Sequence, residues 1–272
     1  MRKGRIRNWL VTMRLYARER KAVFLTYLIL RLIVVAALVL SILGGNYDSA
    51  FICVLALVLF LLPAFIEDRF SVRLPTVLEI IVLLFIFAAE ILGELSNYYL
   101  RYPHWDTILH TVWGFLCAAV GFSLVDVLNR SEKVKLSLSP LFLAIVAFCF
   151  SMTIGVIWEF FEFSMDYLLH LDMQKDTVIH AFSSIALDPT LSNTPVRLED
   201  ITDVAVNGES LGLGGYLDIG LYDTMEDLFV NFLGALVFSV IGYLDVKSHG
   251  GSKLAASFIP RLDHSRDDEP VS

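Results

Sequence analysis

Charged residues are scarce in this sequence, and this scarcity excludes an ordinary soluble protein. Asp, Glu, Lys and Arg make up 18% of the 272 residues, against about a quarter in a typical soluble domain. Hydrophobic residues reach 56% and the mean hydropathy is +0.66. The composition therefore predicts a polytopic membrane protein, with the lipid bilayer as its main partner.

Cysteines and sequence motifs of common enzymes are also scarce. The three cysteines, Cys53, Cys117 and Cys149, lie in apolar runs, without the short spacing of a metal knuckle or a redox pair. There is no Gly-rich phosphate loop, nucleophile elbow, HExxH sequence or heme-type cysteine pair. The loops lack basic clusters, which argues against a nucleic-acid partner.

Long apolar runs are abundant, and they define the predicted fold. A bilayer core of about 30 Å needs roughly 20 apolar residues per helix. Because no small-residue cleavage site follows the first run at signal-peptide distance, we expect that run to remain as a helix. We predict an all-α, multi-pass helical bundle in a cell membrane. Its six spans are residues 22–43, 49–67, 75–96, 105–128, 139–168 and 222–245. The sequence does not predict the oligomeric state.

Basic residues predict the orientation of these spans, because short cytoplasmic segments carry most of the Lys and Arg. Residues 1–21 hold eight of the 21 basic residues, and most of the others lie in alternate flanks. Both termini should therefore be cytoplasmic. Residues 1–21 are expected either to lie on anionic lipid or to act as a positive-inside anchor, and the tail 246–272 is expected to be disordered.

The loop 169–221 separates spans 1–5, within residues 22–168, from the sixth span, and it has an acidic composition. It contains eight Asp and Glu residues but only Lys175 and Arg197 as basic residues. This topology makes it extracytoplasmic. Its length suits a lid or a small binding element as well as an ordered spacer.

Polar side chains on four spans fall at one predicted membrane depth, near the outer surface. Residues three or four apart share a helix face, so the polar residues of the later spans form stripes that point into the bundle. Below them, small residues such as Gly114, Cys117, Gly121, Gly234 and Gly242 predict close helix packing. The polar residues at this depth are Glu90, Glu94, Asp106, His110, Glu159, Glu162, Asp166, Asp223, Asp227 and Asn231.

So many carboxylates within a membrane require a positive partner. Histidine and carboxylates at helical spacing suit a divalent metal ion such as Mg, Mn, Fe or Zn. We assign the ligands to His110, Glu159, Glu162, Asp223 and Asp227. Supporting positions around these ligands are assigned to Asp106, Asn231, Glu90 and Glu94. Arg31, a basic residue inside the first span, is assigned as a counter-ion of Glu79.

Three functions fit this arrangement of residues. The first is a metal-dependent enzyme acting on a lipid or envelope headgroup, with Asp166 or Asp227 as general base. The second is a cation or proton-coupled transporter, although the apolar inner halves of the later spans disfavour a continuous polar pathway. The third is a non-catalytic membrane partner, in which the acids only hold helices together. Any single acid near a helix end also fits a cap or an interface residue.

The motifs at Asp106 to His110, Glu159 to Asp166 and Asp223 to Asn231 resemble those of the YjdF-type bacterial inner-membrane proteins. These motifs are D-x3-H, E-x2-E-x3-D and D-x3-D-x3-N, each on a late span. The similarity extends over roughly residues 75–245. The resemblance implies an integral protein of the bacterial inner membrane, and it implies no chemistry because the function of that family is not established.

Overall fold

The computed structural model describes residues 20–70, 72–130, 138–248, 252–259 and 261–262. Residues 1–19 of the predicted basic segment and 263–272 of the predicted tail lie outside the described residues. The chain divides into two compact units, which are described separately. The first unit contains residues 1–152 and 230–272, and the second contains residues 153–229.

The prediction of six spans is confirmed for the described residues, and the fold is mostly helical. The first span is the helix Lys21–Leu43, and the second extends over Tyr47–Arg69 as helices Tyr47–Leu59 and Leu62–Phe70. The third begins as Thr76–Ile86 and continues as the π-helix Phe87–Leu95. The fourth, fifth and sixth are Trp105–Arg130, Pro140–Leu169 and Leu221–Lys247. A short helix, Tyr98–Arg101, precedes the fourth span.

A proline explains the interruption of the second span. The ring of Pro63 clashes with the carbonyl of the residue four positions earlier in a regular helix, and proline has no N–H to donate. That earlier residue is Leu59, where the first helix of this span ends. The span begins at a polar cap, because the Asn46 side chain accepts a hydrogen bond from the Ser49 amide at 3.1 Å.

Small residues bring the fourth and sixth spans into backbone contact within the first unit, as predicted. A Cβ atom at Gly234 would overlap the Thr111 carbonyl oxygen, and one at Gly114 would overlap the Asn231 carbonyl. Ser151 of the fifth span donates a hydrogen bond to the Gly114 carbonyl at 2.8 Å. Close approach of this kind is possible only where at least one side chain is absent.

An ion cluster joins the start of the first span to the connection between the second and third spans. The Arg20 guanidinium lies 3.1 Å from Glu67 and 2.8 Å from Glu79, and it donates a further hydrogen bond to the Leu74 carbonyl. The expected pairing of Glu79 with Arg31 is replaced by this pairing with Arg20. Arg31 lies instead over the ring of Tyr27, at 4.9 Å.

The prediction of a disordered tail is wrong for its described part. Residues Lys253–Ala256 form a short helix, and strand β8, Arg261–Leu262, pairs antiparallel with β1, Val72–Arg73. Ala255 and Ile259 are buried, and the ring of Phe258 packs edge-on against Phe115. The apolar side chains of Ala255, Phe258 and Ile259 explain this packing, which the polar average composition of the tail does not indicate.

Short antiparallel strand pairs occupy much of the loop in the second unit. Strand β2, Thr177–Ile179, pairs with β7, Tyr216–Asp218, and β3, Phe182–Ser184, pairs with β4, Val196–Leu198. Strands β5, Ala205–Val206, and β6, Glu209–Ser210, are joined by an Asn–Gly turn in which both residues have positive φ. A short 3-10 turn, Ile185–Leu187, follows β3.

The Arg20 cluster predicts a loss of stability on substitution. Arg20→Met should lower the free energy of unfolding by about 2–4 kcal/mol, because it removes a cation from beside the buried Glu79 carboxylate. The double variant Arg20→Met, Glu79→Met should recover part of this loss. Thermal unfolding in detergent measures both variants, with the exposed Arg69→Met as control. Equal melting temperatures for Arg20→Met and Arg69→Met would contradict the prediction.

Candidate metal centre

Three buried carboxylates meet within the second unit. Glu159 and Glu162 lie on one face of the fifth span, and Asp227 lies on the sixth span. One carboxylate oxygen from each lies within 4.8 Å of the other two. Their exposed fractions are only 4%, 7% and 2%, respectively. These residues are called the carboxylate triad below.

A strap of loop backbone crosses from the fifth span to the sixth, one helical turn from the triad. The Asp166 carboxylate accepts hydrogen bonds from the amides of Met173 at 2.6 Å and Gln174 at 2.8 Å. The Asp223 carboxylate accepts the amide of Lys175 at 2.8 Å. Asp166 follows Glu162 by four residues, and Asp223 precedes Asp227 by four. The two aspartates thereby fix the helix segments that carry the triad.

A side-chain hydrogen bond reinforces this strap. The Gln174 amide nitrogen donates to the Thr224 hydroxyl at 2.5 Å. Sequence reasoning missed the roles of Gln174 and Thr224, since neither is ionisable and neither stands at a distinctive spacing. Close to this strap, partial burial raises the pKa of Asp176, and the negative charges of Asp172, Asp166 and Asp218 raise it further.

The basic side chains of the second unit are engaged away from the triad. The ammonium group of Lys175 donates to the Asp172 carbonyl, and the exposed Arg197 forms an ion pair with Glu199 at 2.6 Å. These are the only Lys and Arg residues among residues 153–229. Three buried carboxylates at this spacing cannot all remain ionised unless a positive charge joins them. Bound protons or a bound cation would reduce the repulsion among these carboxylates.

The spacing of the triad fits a shared divalent cation. Two oxygens bound to one Mg²⁺ at about 2.1 Å can be at most about 4.2 Å apart, and for Ca²⁺ this limit is about 5 Å. The three oxygens lie within 4.8 Å of one another. This separation is below the Ca²⁺ limit and somewhat above the Mg²⁺ limit, so a bound Mg²⁺ or Mn²⁺ would draw the carboxylates closer together.

Three other residues that the sequence analysis assigned to the site, His110, Asp106 and Asn231, lie in the first unit. In the first unit, His110 Nε2 lies 3.6 Å from Asp106 Oδ1, one turn apart on the fourth span. Asn231 is 1% exposed, and its amide nitrogen lies 3.5 Å from the Met152 sulfur. The assignment of His110 as a ligand, and of Asp106 and Asn231 as supporting residues, stays a prediction.

Four further acids were assigned to the site from the sequence. Among the described residues, none of them joins two other potential ligand residues with all three ligand atoms within 4.8 Å of one another. Glu90 is half-buried and Glu94 is exposed, both on the π-helical part of the third span. Asp166 and Asp223 accept the strap amides described above. The predicted general-base role of Asp166, the ligand role of Asp223 and the supporting roles of Glu90 and Glu94 stay predictions.

The described residues contain six helices long and apolar enough to span a membrane, which define a multi-pass helical membrane protein. The family model described as "Predicted membrane protein (DUF2238)" matches residues 26–248. The chain therefore belongs to this family, and this agrees with the resemblance found from the sequence. No curated protein and no solved structure matches the chain.

The strap predicts a specific effect of two substitutions. Asp166→Ala and Asp223→Ala should each accelerate proteolysis of the loop 176–220 in detergent, because each change removes acceptors from half-buried strap amides. The corresponding loss of local stability is about 1–3 kcal/mol. Asp172→Ala, at an exposed acid of the same loop, serves as control. Cleavage of all three variants at the wild-type rate would contradict the role of the strap.

Proposed function

We propose that the protein binds one divalent cation, Mg²⁺ or Mn²⁺, through Glu159, Glu162 and Asp227. The observation that carries this proposal is the convergence of three carboxylates, each more than nine-tenths buried, within 4.8 Å. A set of carboxylate oxygens suits these hard cations better than it suits copper or zinc. A bound cation would supply the positive charge that the triad requires.

A resident cation is favoured over a transported one. From the triad onward, residues 140–158 of the fifth span and 232–244 of the sixth contain no Asp, Glu, Lys, Arg or His. Ion pathways through membranes are usually lined by ionisable or other polar groups along their length. Those stretches therefore offer no further charged ligands to a cation that leaves the triad.

We propose a lipid or envelope headgroup as the substrate of this centre. A cation of this kind polarises a bound phosphoryl or carbonyl oxygen and lowers the pKa of bound water. The triad would hold the cation through three ligands and leave positions for water and for headgroup oxygens, since Mg²⁺ prefers six ligands. Asp166 and Asp223 would act as positioning residues, because they hold the strap across both helices.

The cation preference tests the sequence-based assignment of His110. A carboxylate-only centre should select Mn²⁺ or Mg²⁺, whereas a contribution from imidazole would shift selectivity toward Zn²⁺ or Fe²⁺. The variant His110→Ala separates these possibilities. Retained Mn²⁺ affinity with unchanged selectivity would remove His110 from the ligand set and leave the triad intact.

The binding proposal predicts loss of the cation when triad residues are neutralised. Wild-type protein equilibrated with Mn²⁺ should retain about one ion per chain. The variants Glu159→Gln, Glu162→Gln and Asp227→Asn should each weaken binding by at least about 10- to 100-fold, because each removes a charged ligand. Equilibrium dialysis followed by elemental mass spectrometry measures this change.

Glu226→Gln is the matched control, since Glu226 is the exposed neighbour of Asp227. Unchanged Mn²⁺ binding in folded Asp227→Asn protein would contradict the proposed centre.

Headgroup chemistry has its own test, in which phosphorus NMR follows mixed phospholipid vesicles incubated with the Mn²⁺-loaded protein. Identical spectra for wild type and Asp227→Asn would reject the headgroup as substrate without affecting the binding result.

A further inference from the structure

At the end of the hairpin formed by β3 and β4 in the second unit, one buried aspartate gathers hydrogen bonds from the residues that follow it. The Asp188 carboxylate accepts hydrogen bonds from the amides of Thr190, Ser192 and Thr194, at 2.9, 2.8 and 3.3 Å. It also accepts the hydroxyls of Thr190 and Ser192. Asp188 itself is only 6% exposed. The polar side chains of residues 188–194 are thus largely committed to one another.

Apolar side chains are exposed at the same hairpin end, beside uncharged polar residues that are exposed as well. Leu191 is 91% exposed, and Ile185 and Leu187 are also exposed. Leu191 has a φ of 54°, a left-handed conformation that leucine rarely adopts. Three exposed aliphatic side chains within seven residues indicate a surface that contacts a membrane or another protein.

The hairpin end also differs from the rest of the loop in charge. Between Phe182 and Val196, the only charged residue is the covered Asp188. The other acids of residues 169–221 all lie outside this stretch, and Arg197 pairs with Glu199. An uncharged, aliphatic tip suits the boundary between lipid headgroups and acyl chains, where apolar side chains are buried and charges are unfavourable.

The loop begins and ends in membrane spans, so a lipid surface adjoins it directly. The exposed apolar residues Leu168 and Leu169 lie at the start of the loop, and Ile219 and Leu221 lie at its end. We propose that the end of the β3–β4 hairpin, through Ile185, Leu187 and Leu191, inserts into the leaflet from which the fifth and sixth spans emerge. The occupant of this surface is the bilayer, and its contact with the hairpin is independent of cation binding.

An environment-sensitive fluorophore at Leu191 tests this insertion in the full chain. Cys149 is changed to Ser, while Cys53 and Cys117 are buried and stay in place. Leu191→Cys is labelled and reconstituted in phosphatidylcholine vesicles whose acyl chains are brominated near the headgroup. We expect blue-shifted emission that is quenched by the brominated lipid. Asn207→Cys, at the exposed Asn–Gly turn of the same loop, should give unshifted, unquenched emission.

Each outcome of this experiment decides the proposal. Quenching at Leu191 but not at Asn207 supports insertion, and Leu187→Cys should then behave like Leu191→Cys. Unshifted, unquenched emission at Leu191, as at Asn207, would show a water-exposed tip and overturn the proposal. A blue shift without quenching by brominated lipid would show a protein surface, such as a second copy of this chain, and would also overturn it.

Discussion

The cost of burying several negative charges together is the constraint on which the site depends. A carboxylate removed from water keeps its charge only when a positive group compensates it, and the effect grows as carboxylates approach one another. Glu159, Glu162 and Asp227 are brought together in this way inside the second unit. A cation shared by the three carboxylates is the compensating charge that we propose. The alternative is that protons neutralise the carboxylates, and the Mn²⁺-binding measurements distinguish protons from a bound cation.

A strap of loop backbone, one helical turn from the triad, supports the helix segments that carry the three carboxylates. The strap Met173–Lys175 is held by Asp166 at the end of the fifth span and by Asp223 at the start of the sixth. Because both aspartates stand one turn from the triad, they orient the helix faces that carry it. Similar stripes of acids therefore contain two kinds of residue, some that form the strap and some that form the triad.

Part of this structure follows from the sequence on simple physical grounds. Twenty-residue apolar runs predict helices across a bilayer, and the spacing of Glu159 and Glu162 predicts a shared face. Gly114 and Gly234 predict close helix contact, because residues with small side chains let helix backbones approach each other. These inferences depend only on local periodicity and composition.

Other features depend on tertiary contacts or on changes of helical register. The π-helix Phe87–Leu95 adds residues to each turn, so spacing rules for α-helices do not place Glu90 and Glu94. Arg20 reaches Glu79 from a neighbouring segment, and Arg31, although it lies in a span, contacts Tyr27 instead. The tail packs because a few apolar residues find Phe115 and its neighbours, which average composition does not indicate.

Anomalous scattering from crystals of the protein grown with Mn²⁺ is the sharpest test of the proposed centre. We expect one anomalous peak within bonding distance, about 2.0–2.3 Å, of carboxylate oxygens from Glu159, Glu162 and Asp227. The strap should remain in place one helical turn from that peak. An ordered triad without such a peak, at saturating Mn²⁺, would rule out the proposed cation and favour protonated carboxylates.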